Sequence, residues 1–102
     1  MDYEIFLSYI DNKEYLASPN SNNFNLDIFL LIDNEKIKSL PIHKNHIITI
    51  RYFINNKNKN EYLISGDENK IVIIWDITNN YNIKYYINTN LGHNIYSCLI
   101  IF

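Results

Sequence analysis

Glutamine is missing from this 102-residue chain altogether, and cysteine, alanine and arginine occur once each. A single cysteine, Cys98, forms no intrachain disulfide, and no zinc-ligand set accompanies it. A reducing, intracellular setting, cytoplasmic or nuclear, is therefore expected, with no metal and no other cofactor. Glycine and proline occur only twice each, so Asn and Asp must make the turns; both tolerate left-handed backbone. The two glycines, Gly66 and Gly92, are also too far apart for the Gly-rich phosphate loops or the nucleophile elbow of hydrolases. No stretch of eighteen apolar residues occurs, and no apolar segment follows a basic one at the N-terminus. Neither a membrane span nor a signal peptide is expected. A net charge of −2 argues against a nucleic-acid domain, whose phosphate contacts need a basic face. The cluster Lys57-Asn58-Lys59 reads as a solvated loop.

What is present in excess is isoleucine, at twenty residues, and asparagine, at eighteen. Ile, Asn, Lys, Tyr and Phe share A/T-rich codons, so much of this bias reads as mutational drift. The asparagine clusters at 20–25 and 55–60 read as loops lengthened by that drift rather than as aggregation-prone tracts. The missing glutamine fits a source in which UAA or UAG encodes Gln, where a standard translation stops at the first such codon and yields a fragment. Apolar content of 47% suffices for the core of one small domain.

The most informative stretch is YLISGDENKIVIIWD, residues 62–76. It reads as a strand, a polar turn over 66–70 and a second strand of β-branched residues ending at Trp75-Asp76. A lone hairpin is marginal in water, so this one must pack against something else. Self-comparison supplies the partner. EYLAS at Glu14 and EYLIS at Glu61 share four of five residues, 47 positions apart, the spacing of a four-stranded repeat. The first copy places strands at 3–9, 14–18, 26–32 and 36–40. The second places them at 47–54, 61–65, 71–76 and 83–88, and a third copy of strand one follows at 95–102. Helices fit less well, because the apolar runs are short and interrupted by turn residues every eight to twelve positions.

LISGDENKIVIIWD, running from Leu63 to Asp76, resembles the closing half of a WD repeat. LGH at Leu91, Gly92 and His93 resembles the Gly-His that opens the next one. HKNHIITIRYF from His43 is similar to an opening strand, with Ile42 where Gly is usual; in the first copy Leu30-Leu31 replaces Trp-Asp. The resemblance implies an all-β, partial β-propeller of about two four-stranded antiparallel blades plus the first strand of a third. The units are a degenerate first blade (1–42), a second blade (43–90) and an incomplete third (91–102). It also implies a buried hydrogen-bonded chain made by His43, Ser65, Asn69 and Trp75. Asn69 stands where the family has Asp, and losing the carboxylate is expected to weaken the blade by about 1 kcal/mol.

The resemblance further places Lys44, Asn45, His46, Asp67 and Glu68 on one exposed end, as a face for partner proteins. No catalytic constellation is evident: His43 and His46 lie in a loop, and Asp67-Glu68 read as solvated turn residues. The function expected is a protein–protein interaction scaffold without catalysis, part of a larger propeller. Closure then requires further blades or self-association. The alternatives are a phosphoinositide-binding propeller at a membrane surface, for which Arg51 is the only arginine, and a truncated product without independent function.

Overall fold

The computed structural model describes residues 2–89, and its elements there are eight strands in two antiparallel sheets. The first sheet contains β1 (Glu4–Leu7), β2 (Glu14–Pro19), β3 (Leu26–Leu30) and β4 (Glu35–Leu40), in that spatial order. The second contains β5 (Ile47–Ile54), β6 (Glu61–Asp67), β7 (Ile71–Asp76) and β8 (Asn82–Asn88), again in order. Each sheet is a simple meander, as short turns between neighbouring strands require. The third copy of strand one, expected over 95–102, lies outside the described residues, as do Leu91, Gly92 and His93.

Two expected strands end early for a common reason. Ser8 closes a turn instead of extending β1: its N–H donates to Lys13 O and its carbonyl accepts from Asn12 N, both at 2.9 Å. Leu31 leaves β3 because its N–H turns to Glu14 O at 3.1 Å. With few glycines, Asn12, Asn34 and Asn80 take the left-handed positions at φ 58°, 55° and 60°, the role expected of asparagine. Phe24 and Tyr81 also adopt positive φ, 63° and 61°, which costs a bulky residue about 1 kcal/mol or more. Nothing in composition pointed to them.

The sheets pack against each other through one apolar core. Phe6, Ala17, Leu26, Ile28 and Leu40 of the first meet Ile47, Ile50, Leu63, Ile73 and Trp75 of the second. Phe6 stacks on Tyr52 across the seam, with ring centroids 4.7 Å apart. Tyr62, Ile64, Val72 and Ile74 form a second buried cluster on the other face of the second sheet. Strands β6 and β7 are therefore buried on both faces, which is why IVIIW shows no apolar-polar alternation.

The seam also contains carboxylates. Asp2 accepts hydrogen bonds from Ile50 N and Arg51 Nη1, both at 2.9 Å, and Glu4 accepts from Tyr52 N at 2.8 Å. Strand β1 and the residues just before it thus satisfy backbone donors of β5 without joining its sheet, as buried donors demand.

Candidate functional site

Because β6 reaches Asp67, its far end meets the connection that enters β5. Asp67 pairs with Ile47 in the sheet, and the chain turns over Glu68, Asn69 and Lys70. Lys70 N donates to Asp67 O at 3.0 Å, and Lys70 has φ 63°. This is the three-residue hairpin loop, a type I turn followed by a left-handed residue. Asp67 Oδ1 braces it, accepting from Asn69 N at 2.8 Å and Ile71 N at 3.2 Å. Its other oxygen, Oδ2, lies 2.7 Å from His43 Nδ1.

From His43 the chain continues inward. His43 Nε2 lies 2.6 Å from Ser65 Oγ, and Trp75 Nε1 donates to Ser65 Oγ at 2.9 Å. A carboxylate only accepts, so Nδ1 carries the proton; with the ring neutral, Nε2 accepts the Ser65 hydroxyl and Ser65 accepts the indole N–H. All four side chains are buried, the least so being His43 at 3% exposed.

Two expectations are corrected here. The acid of the chain is Asp67, not Asn69, and the charge-assisted bond is retained. Asn69 is exposed, and its amide oxygen accepts from Asn45 Nδ2 at 3.1 Å. Asp67 in turn is 1% exposed and is not part of an open partner face. The physical reason is the length of β6: two further residues of pairing bring the Asp67 carboxylate under the 43–46 connection.

Aspartate, histidine and serine stand in the order of a hydrolytic triad. Here, however, Ser65 is fully buried and its oxygen already accepts from Trp75. The arrangement braces the connection against β6 and β7. It presents no nucleophile to solvent.

Above this brace the other expected face residues come together at one end of the sheets. Lys44, His46 and Glu68 are exposed and Asn45 is half-buried. Glu68 N donates to His46 O at 3.0 Å, and His46 N donates to Asn45 Oδ1 at 2.7 Å. Phe24, from the long loop of the first sheet, meets the His46 ring edge-on at 4.9 Å. Beside them an open depression of about 330 Å³ is lined by Lys44, Asn69, Tyr86 and Asn88, among others. Among the described residues no group of three His, Cys, Asp or Glu side chains could hold a metal ion. No helix among the described residues is long and apolar enough to cross a membrane. The guanidinium of Arg51, the only arginine, is engaged by Asp2.

The opposite end of the sheets contains a polar centre that sequence reasoning missed. Glu61 is fully buried. Its carboxylate accepts from Ser8 Oγ at 2.9 Å, Tyr9 N at 2.7 Å and the Tyr52 hydroxyl at 2.6 Å. Ser8 and Tyr9 belong to the first sheet's turn, so Glu61 latches one unit to the other. The signal was available: glutamate opens both EYLAS and EYLIS.

Burial pushes the Tyr15 phenol up to about 12, helped by its hydrogen bond to Asp11 and by the charges of Asp11 and Glu61. Burial likewise raises Tyr52, bonded to Glu61, and Tyr81 above the ordinary phenol range. An unfolded tyrosine ionises near 10, so above that pH the unfolded chain releases protons that the folded chain retains. This contribution to stability is complete below about pH 10 and is lost as pH climbs through Tyr15's value of about 12. Absorbance titration at 295 nm should find these phenols ionising late in the native protein, with Tyr15→Phe removing the lowest of the three steps. Uniform ionisation near 10 while the fold persists would contradict this.

Neither family models nor curated proteins nor solved structures yield a match to this chain.

Proposed function

We propose that this chain is a non-catalytic protein–protein interaction scaffold of the WD-repeat type, with its two sheets as adjacent blades of a partial β-propeller. The reading is carried by the end that bears Lys44, Asn45, His46 and Glu68. These side chains sit on short segments held from beneath by the buried Asp67–His43–Ser65–Trp75 chain. Polar groups displayed on a rigid support lose little freedom on binding, which is how loops on a fixed scaffold come to recognise partners. Two further features favour the propeller form. The repeated meander is one, and the adjacency of the two first strands, β1 and β5, along the seam is the other.

A photo-crosslinking residue at position 46 tests the reading. Discrete protein adducts are expected in cells, weakened by Lys44→Glu and Glu68→Lys, and absent when the crosslinker sits at position 56 at the opposite end. Adducts that are identical at both positions, or indifferent to the charge reversals, would sink it.

A further inference from the structure

The two outer edges of the sheets differ in how they meet water. Strands β1 and β5 end their sheets at the seam, and β4 and β8 end them on the outside. Among the described residues no further strand pairs with either outer edge. Such edges are templates for other chains, and proteins blunt them with charge. Strand β4 follows that rule: Glu35 and Lys36 are exposed, Lys38 is half-buried, and Pro41 stands just beyond. Strand β8 does not. Its sequence, NIKYYIN, has one lysine, and Ile83, Tyr85 and Tyr86 are 41%, 45% and 57% exposed.

The geometry of β8 fixes what its edge presents. Pairing with β7 is regular from Ile71 opposite Asn88 to Ile74 opposite Tyr85, and shifts only at Trp75. Thr89 N donates to Lys70 O at 2.9 Å, so position 89 turns its backbone toward β7. Antiparallel ladders alternate, which turns 87 and 85 inward as well and points the Tyr86 N–H and C=O out of the edge. Side chains alternate between faces too. Ile87 packs on the face of Tyr62 and Ile64, and Tyr85, opposite Ile74, shares that face. Tyr86, opposite Ile73, lies on the other.

We infer that β8 pairs antiparallel with β8 of a second copy of this chain, about a two-fold axis through Tyr86. The Tyr86 N–H of each copy donates to the Tyr86 carbonyl of the other. Residues directly opposite share a face, so Tyr85 meets Ile87 of the second copy, twice by symmetry, and Tyr86 meets Tyr86. Aromatic–β-branched and aromatic–aromatic pairs are favoured cross-strand neighbours. Lys84 comes opposite Asn88, so no like charges meet. Centring the axis on Tyr85 fails: Lys84 would oppose Tyr86, yet its ammonium lies on the Tyr62 face, 5.6 Å from that ring. Self-complementarity is what a two-fold interface demands of one strand, and β8 meets it. The β4 edge of a second copy offers Glu35, Lys36 and Lys38 instead of apolar partners. The pairing lies away from the β1–β5 seam and closes no propeller ring. It engages a sheet edge rather than the 43–46 end, so the position-46 crosslinks and this dimer can fail independently.

Charge reversal on the axis is the test, read by light scattering across a concentration series. The parent chain should dimerise. Tyr86→Glu and Tyr86→Lys, each alone, should weaken the dimer by about 10-fold or more, because like charges then face each other in place of the aromatic pair. Mixed in equal amounts the two variants should dimerise again, since only a residue on the axis meets its own copy. Trp75 fluorescence reports that each variant keeps the fold, as the exposure of Tyr86 leads one to expect. A parent chain that stays monomeric at every concentration, a dimer that Tyr86→Glu leaves as tight, or a mixture that stays monomeric overturns the inference. Association weakened instead by Lys36→Glu and Lys38→Glu would put β4 of the second copy on the edge, and would overturn it too.

Discussion

Asp67→Ala is expected to cost about 3–5 kcal/mol of folding stability, because one buried carboxylate accepts three hydrogen bonds there, each worth about 1.5–3 kcal/mol to a charged group before the site relaxes. The loss has three parts. His43 Nδ1–H is left without an acceptor in a site sealed from water, where an unmet donor costs about 1–3 kcal/mol. Asn69 N and Ile71 N lose the oxygen that holds the β6–β7 turn. The connection over 43–46 also loses its tie to β6. Asp67→Asn keeps the shape but replaces a charge-assisted bond with a neutral one, for a cost of about 1–2 kcal/mol. Asn69→Ala, at an exposed position, should cost less than about 1 kcal/mol. Urea denaturation followed by tryptophan fluorescence measures all three, because Trp75 is the only tryptophan and sits in the chain itself. If Asn69→Ala were the more damaging change, the assignment of Asp67 as the acid would be wrong.

Glu61→Ala is expected to cost about 3 kcal/mol, from the stranded donors of Ser8, Tyr9 and Tyr52. A fully buried carboxylate is expensive to desolvate, and here hydrogen bonds from the neighbouring sheet offset that cost. The substitution therefore weakens the seam between the sheets rather than one sheet internally. Glu61→Gln gives an independent readout. It removes the negative charge beside Tyr52, so the Tyr52 phenol should ionise at lower pH than in the parent protein, while burial still keeps it above the ordinary value. An unchanged Tyr52 titration in Glu61→Gln would show that the bond does not persist in solution. The opposite outcome for stability, a gain on replacing Glu61 with an apolar residue, would mean that the latch specifies the pairing of the sheets without strengthening it.

Much of the architecture was legible in local pattern. Short β-branched runs separated by Asn- and Asp-rich turns marked the strands of both sheets to within a few residues, because turn chemistry acts over four or five positions. The repeat was visible in EYLAS and EYLIS, since both copies make the same turn and need the same residues there. His43, Ser65 and Trp75 were placed together by resemblance to a repeat motif, and their side chains do meet.

The partner of His43 was not legible, because Asp67 and Asn69 lie only two residues apart and the pairing of Asp67 with Ile47 decides between them. Glu61 showed in the sequence only as the first residue of a strand, and Asp67 read as a solvated turn residue. Both are buried because donors from residues tens of positions away converge on them: Ser8 and Tyr9 on one, His43 on the other. Alternation and turn signals are set by a residue and its near neighbours, so the linear chain carries them. Whether a carboxylate can leave water depends on which donors the folded chain delivers to it, and that balance exists only once the connection has closed over β6 for Asp67 and the two sheets have met for Glu61.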